Sequence, residues 1–409
     1  MARKYGKHGS KIKRSKNLYK RRKSSLRTSL EVVAMVMVVG LLGFVGWNAG
    51  KAIRDYFSQT STVSTPENES PVINEFITPS DGEPTELQTD DNPAPSPVLE
   101  FNAIIAPASV LDNSTSLAAY IQQAKNNGFD AVVLDIKDSA GYLLYNSEYE
   151  PIQDTALIKG SLTASQIFAA FDNTDIRPVA RINTLADRIA PSVIEDVSYV
   201  FAQGGGRWLD NRVENDGKMW SNPFLQGTRD YNAFLVGELS AAGFTDIILA
   251  NVIFPVFRAY DIGVLSPEYT SPATRYEGLV DFVLECEEHK GDARLILEMS
   301  LEDVVESYAG FNGSAELLRG KKDLPDFELL LMYSKDSFGE EYKTGESTSV
   351  VLPSNDMSAL MNVLYKQAAN QTSGLELMPG FNREGLSDRE ISDILIAFAE
   401  LGYESFIIR

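Results

Sequence analysis

The chain has 409 residues, a formal net charge of −20 and 44% hydrophobic residues, which excludes global disorder and leaves room for two domains or one large barrel with accessories. Its single cysteine, Cys286, excludes an intramolecular disulfide and a cysteine-based metal centre, and with only His8 and His289 a histidine triad or zinc site is close to excluded. After residue 28 the chain carries 25 basic against 57 acidic residues, which argues against nucleic acid as a partner.

Residues 1–28 hold twelve Lys or Arg and no acid, and read as a basic cytoplasmic tail. Residues 29–50 follow as a largely apolar run whose only charge is Glu31, close to the roughly 20 residues a helix needs to cross a bilayer. Trp47 lies at one end, where an interfacial aromatic is favoured, and the positive charge before the run should stay inside. The expectation is a single-pass anchor in the cell membrane, with the N-terminus cytoplasmic and the C-terminal domain extracellular. Two alternatives compete with it. A cleaved signal peptide would need a small-x-small site, which Trp47-Asn48-Ala49-Gly50-Lys51 supplies poorly, and a buried core helix would need a neighbouring domain. Residues 51–98 read as a disordered extracytoplasmic linker: Ser58 to Val98 has eight acids, no Lys or Arg, and too little apolar surface to fold.

From residue 99 to 409 strands and helices alternate. Strands are expected at Phe101–Ala106, Ala131–Ile136, Arg177–Ile182, Asp246–Ile253, Arg294–Met299, Phe327–Met332, Gly374–Met378 and Glu404–Ile408. Helices are expected at Thr115–Asn127, Thr163–Phe171, Gln226–Ala242, Arg275–Glu288, Leu301–Tyr308, Asp356–Asn370 and Ser387–Glu400. Eight such strands predict an α/β fold, a TIM-type (β/α)8 barrel preceded by a single transmembrane helix and a disordered linker. The rival is an open doubly wound sheet. Against it, no strand is followed by a phosphate-cradling glycine loop; Gly204-Gly205-Gly206 lacks both the Lys-Ser/Thr and the dinucleotide spacing. The last strand has no helix after it, so either the seam is covered otherwise or the count is off by one.

Without His or Cys, the candidates for chemistry are carboxylates, which suit glycoside hydrolysis because that reaction needs one carboxyl as acid and a second as nucleophile or base. Asp135, Asp138, Glu298 and Asp336 fall at the C-terminal ends of expected strands, the edge where such barrels hold their sites, and are the expected catalytic residues. Each also has a structural alternative: Asp138 can pair with Lys137 or cap the next turn, and Asp210 can pair with Arg207 or Arg212. Tyr142, Tyr145, Trp208, Trp220, Phe254, Phe257 and Tyr333 fall on nearby loops, where they either stack on sugar rings or pack the loops. Lys137, Arg181, Asn183, Trp208, Asp210, Asn251 and Tyr333 are the expected substrate-binding residues. No cofactor is implied, and no EF-hand-type spacing points to a metal.

The run Ala131-Val132-Val133-Leu134-Asp135-Ile136-Lys137-Asp138-Ser139-Ala140-Gly141 resembles the opening motif, roughly "AVVIDVKDDxG", of a bacterial family of glycoside-hydrolase-type domains. Arg181-Ile182-Asn183-Thr184 resembles its next strand end. Trp208-Leu209-Asp210 with Asn222-Pro223 and Asp230-Tyr231-Asn232 is similar to its "W-D-P…DYN" segment. Gly243–Pro255 resembles its "GFDEIQFDYVRFP" strand, and Leu331-Met332-Tyr333-Ser334 its "PMVYPS" strand. The resemblance implies an amylase-like barrel, usually extracytoplasmic, acting on a polysaccharide or envelope glycan. It also implies a nucleophilic Asp where this chain has Ala250, and an Arg where it has Ile253. Leu377–Asn382 replaces a "LQDF"-type ending, and Arg409 stands where an aromatic usually follows. Three readings stay open: a membrane-anchored hydrolase, a degenerate barrel that binds envelope glycan without cleaving it, and a protein-partner ectodomain.

Overall fold

The computed structural model describes residues 101–409 apart from 154, 308, 309, 326, 340, 344–348, 354 and 355. The tail, membrane segment and linker expected over residues 1–98 lie outside the described residues. Among the described residues no helix is long and apolar enough to cross a membrane.

Eight parallel strands close into a barrel. In chain order they are β1 (Asn102–Ile105), β2 (Ala131–Lys137), β3 (Arg177–Asn183), β4 (Asp246–Ala250), β5 (Arg294–Ser300) and β6 (Glu328–Tyr333). A small antiparallel hairpin, β7 (Glu341–Lys343) and β8 (Ser349–Val351), is inserted before β9 (Glu376–Phe381) and β10 (Phe406–Ile408). The order around the barrel is β1-β10-β9-β6-β5-β4-β3-β2, which rules out the open doubly wound sheet. The seam needs no final helix. β10 pairs with β1 on one side, Asn102 to Phe406 and Ile104 to Ile408, and with β9 on the other.

The outer layer includes α1 (Ser114–Asn126), α2 (Ala164–Ala169), α3 (Gln226–Ala242), α4 (Tyr276–His289), α5 (Leu301–Val305), α6 (Met357–Gln371) and α7 (Asp388–Glu400). Four of these helices start on a side-chain cap, from Asn113, Thr163, Asp356 and Ser387. The Thr163 and Ser387 side chains each accept from the backbone three residues on, and Gln166 and Glu390 reach back to complete reciprocal boxes. The end of α3 is set by Gly243, whose φ of 112° is open to glycine at little cost; a Cβ there would also meet the Phe168 ring at 2.7 Å.

Two apolar layers result. Phe101, Ala103, Val133, Val179, Ile248, Ile296, Leu330, Met378 and Ile407 fill the barrel, and a larger core lies between the strands and the helices. Most strand boundaries fall within two residues of expectation, and two strand ends differ by three. β4 stops at Ala250 rather than Ile253, because Asn251 turns into the left-handed region at φ 58°. β9 runs on through Pro379 and Gly380, residues that read as a breaker in the sequence. Pro379 lacks an N–H, and opposite it the buried Tyr365 hydroxyl lies 2.9 Å from Leu331 O and 3.1 Å from Gly380 O, so a side chain mends the ladder.

Candidate active site

Successive strand residues point to opposite faces, so the residues two beyond the interior layer form the next ring toward the C-terminal mouth. That ring holds Asp135, Arg181, Ala250, Glu298, Met332, Gly380 and Arg409. Its charged members are bound together. Arg181 Nη1 donates to Asp135 Oδ1 at 2.7 Å, while Nε and Nη2 donate to Glu298 Oε2 and Oε1 at 2.5 and 2.7 Å. Arg409 Nη2 stands 3.6 Å from the other Asp135 oxygen.

Arg181 is only 4% exposed, so its charge persists because two carboxylates repay the lost hydration. Burial alone would lower the guanidinium's pKa, but Glu298 and then Asp135 raise it above the ordinary arginine value. Burial likewise pushes the Glu298 carboxyl up, and the Arg181 guanidinium overrides this and holds it below the ordinary carboxylate value. With Arg181 in place, the geometry thus favours the Glu298 carboxylate. Ala250 closes the ring on the β4 side, fully buried, with its carbonyl taken by the Thr184 N–H and hydroxyl at 2.9 and 2.8 Å.

Beyond Asp135, the charged residues of the opening motif are engaged in structural contacts. Lys137 is fully buried and ion-paired at 2.6 Å with the equally buried Asp187, with its ammonium 4.7 Å from the centre of the Tyr231 ring. It has no surface to offer a ligand. The β2–β3 register shifts between Asp135 and Lys137, so neighbouring charged residues face different layers. Asp138 Oδ1 accepts from the N–H groups of Ala140, Gly141 and Tyr142, each at 2.9 Å, and so folds the turn after β2. Gly141 has φ 105° and packs where a Cβ would lie 2.0 Å from Asp187 Oδ1.

Asn183 and Asn251 brace the β3 and β4 loops, Asn251 Nδ2 donating to Asn183 Oδ1 at 2.6 Å. Trp208 is buried, donates to Asp261 Oδ1 at 2.8 Å, and packs with Tyr199 and Phe257. Phe254 joins this cluster and the Arg275 guanidinium lies over it, so these aromatics pack loops rather than line an open cleft. Tyr145 is buried on Glu238. Asp210 accepts from Trp220 Nε1 at 2.9 Å and from the Lys218 N–H at 2.7 Å, and it pairs with neither Arg207 nor Arg212. Tyr333 is buried against Phe338, its hydroxyl pushed up to about 12 by burial first and then by Glu390 and Asp336. Asp336 is exposed in a short turn after β6 and makes no contact with Asp135, Arg181 or Glu298 among the hydrogen bonds and ion pairs of the described residues.

Of the expected residues, the fold thus brings Asp135, Arg181 and Glu298 into one constellation and uses Lys137, Asp138, Asn183, Trp208 and Asn251 to build its surroundings. Two partners were missed. Arg409 could have been found by counting two residues on from Ile407, whereas nothing local in the sequence links Asp187 to Lys137 across fifty positions. Among the described residues no group of three or more His, Cys, Asp or Glu is placed to hold a metal ion.

Residues 103–299 match the model of a family described as "Putative glycosyl hydrolase domain". This is the kind of family the sequence motifs resemble, and the match ends before the Leu331–Ser334 segment. No curated protein sequence matches the chain. Similar solved structures include a hypothetical protein from Ruminiclostridium thermocellum ATCC 27405, 19% identical, over 47% of this chain and 96% of that one, with a TM-score of 0.40. The catalytic domain of the beta-amylase from Paenibacillus polymyxa is 11% identical over 76% of this chain and 92% of its own, with a TM-score of 0.45. An alpha-galactosidase from Thermus thermophilus is 10% identical over 75% and 57% of the two chains, with a TM-score of 0.44.

Proposed function

We propose that this glycosyl-hydrolase-type barrel binds a glycan of the cell envelope at its C-terminal mouth and does not cleave it. One observation carries the reading: a single guanidinium, Arg181, engages both mouth carboxylates, Asp135 and Glu298, at 2.5–2.7 Å. Glycoside hydrolysis needs one carboxyl that is protonated when the bond breaks, whereas the arginine clasp lowers the Glu298 pKa and occupies Asp135 Oδ1. Ala250, on the strand where the family resemblance leads one to expect the nucleophile, can neither attack an anomeric carbon nor stabilise positive charge on one. Fixed carboxylates and arginines still suit sugar hydroxyls, which both donate and accept.

The second reading is hydrolysis by the same two carboxylates. It is favoured by their partial exposure, 18% for Asp135 and 12% for Glu298, which leaves each open to a substrate that displaces Arg181. The full-length chain, solubilised in mild detergent, separates the two when binding and reducing-end release are measured together across cell-wall and storage polysaccharides. Binding without release is expected. Release that disappears in Asp135→Asn would establish the hydrolase instead, and neither binding nor release would move the function to a protein partner.

The proposal includes the location read from the sequence, with residues 29–50 anchoring the chain and residues 99–409 outside the cell. Retention in the membrane fraction through a high-salt wash is expected, and a released form starting near Lys51 would overturn it.

A further inference from the structure

A second concave site lies on the same rim, outside the Arg181 constellation. It is a cavity of about 420 Å³, within the range typical of small-molecule sites, formed by the long connection after β3 and the loop after β4. Arg188, Asp210, Asp216, Lys218, Trp220 and Val256 line it.

The connection is built to hold Trp220 still. Both Asp210 carboxylate oxygens are used, Oδ2 on Trp220 Nε1 at 2.9 Å and Oδ1 on the Lys218 N–H at 2.7 Å. The Asp210 N–H returns a bond to Lys218 O at 2.9 Å. The indole edge is thus pinned while the half-buried ring lines the cavity, and an aromatic face held this way suits the apolar face of a sugar ring. Val256, 87% exposed, extends the apolar lip.

The charges in the cavity are not equally committed. Asp210 is satisfied by the bonds above, and Asp216 forms an ion pair with the Lys218 ammonium. Arg188 is exposed, and its side chain makes no hydrogen bond or ion pair among the described residues, although its charge is felt by Asp216. A guanidinium beside a pinned indole can grip a carboxylate with two parallel N–H bonds while the ring takes the sugar face.

We infer that this rim cavity is a subsite for an acidic sugar, a hexuronate unit stacked on Trp220 with its carboxylate on Arg188. The glycan recognised by the barrel is then a uronate-bearing polymer rather than a neutral one. This inference rests on the glycan-binding reading and names the class of glycan for it.

The test uses the full-length chain in detergent and three probes of equal length: a tetragalacturonate, its methyl ester, and a neutral cello-oligosaccharide. Titration calorimetry gives affinities, and quenching of indole fluorescence, compared with Trp220→Phe, reports on the ring. The acid should bind about fivefold tighter than its ester, as expected for one partly exposed charge-assisted pair, and the margin should shrink in about 0.5 M salt. Arg188→Gln should reduce that margin to less than about twofold; because Arg188 is exposed and unbonded through its side chain, the variant keeps its fold. Equal binding of acid, ester and neutral sugar, or a margin unaffected by Arg188→Gln, would overturn the inference and leave the glycan-binding reading standing. No binding of any of these probes, with binding of another polysaccharide in the broad screen, overturns the inference alone. No binding of any glycan overturns both.

Discussion

The two ends of the barrel carry the same kinds of residue and hold them in opposite states. At the C-terminal mouth, Arg181 gives two hydrogen bonds to Glu298 and one to Asp135, and Glu298 is held below its ordinary pKa. At the N-terminal end, Arg294 gives two to Asp246, at 2.6 and 3.1 Å, and one to Glu328 at 2.7 Å. There burial, together with the Glu376 and Asp246 charges, outweighs Arg294 and pushes the Glu328 carboxyl up to about 7. A raised carboxyl is often taken as the mark of a catalytic acid. In this chain it sits at the end where barrels of this kind keep stability rather than chemistry. Glu298 receives two arginine bonds and Glu328 one, and Glu328 has Glu376 and Asp246 beside it; those neighbours, not the residue type, set the two glutamates apart.

A third pair sets the scale for both ends. Lys137 and Asp187 are wholly enclosed, so Lys137→Met should strand the Asp187 charge and cost about 3–5 kcal/mol in denaturant unfolding. A loss under about 1 kcal/mol would mean that the site relaxes to admit water.

Arg181→Met should come next, at about 3 kcal/mol, because it leaves two part-buried carboxylates facing each other. It should also make the mouth resemble the opposite end, raising the Glu298 pKa, which isotope-edited spectroscopy of the carboxyl band would report. An unchanged Glu298 titration in that variant would break the comparison.

Glu298→Gln should cost about 1–2 kcal/mol at pH 7. The native carboxyl lies below its ordinary 4.5, so its contribution is present above that pH and is lost as pH falls through the folded value. The gap between wild type and variant should therefore close in acid.

The last effect is expected at Glu328, with the opposite sign of pH dependence. Its folded pKa is raised, so its contribution is complete below about 4.5 and declines as pH rises toward 7. Glu328→Gln should flatten that decline in a series of thermal melts. Parallel pH profiles for Glu298→Gln and Glu328→Gln would show that the two ends are alike after all.

The sequence by itself determined the alternation of buried strands and helices, and the pairing of β10 with β1 and β9 decided that they close into a barrel. Apolar runs such as Ala131–Ile136 and Arg294–Met299, too short for most helices and separated by amphipathic segments, bury well as strands of a sheet covered on both faces. It also placed Asp135, Arg181 and Glu298 at strand ends, because alternation along a strand is a local property. It could not show that Lys137, one residue beyond Ile136, leaves the mouth altogether, since the register shift at the end of β2 depends on the strand it pairs with. Nor could it show that Asp138 folds a turn, that Tyr365 mends the ladder beside Pro379, or that Arg181 lies between two carboxylates 46 and 117 positions away. Those contacts exist only once the barrel has closed, and whether a carboxylate is an acid, an anchor or a brace depends on which charges closure brings to it.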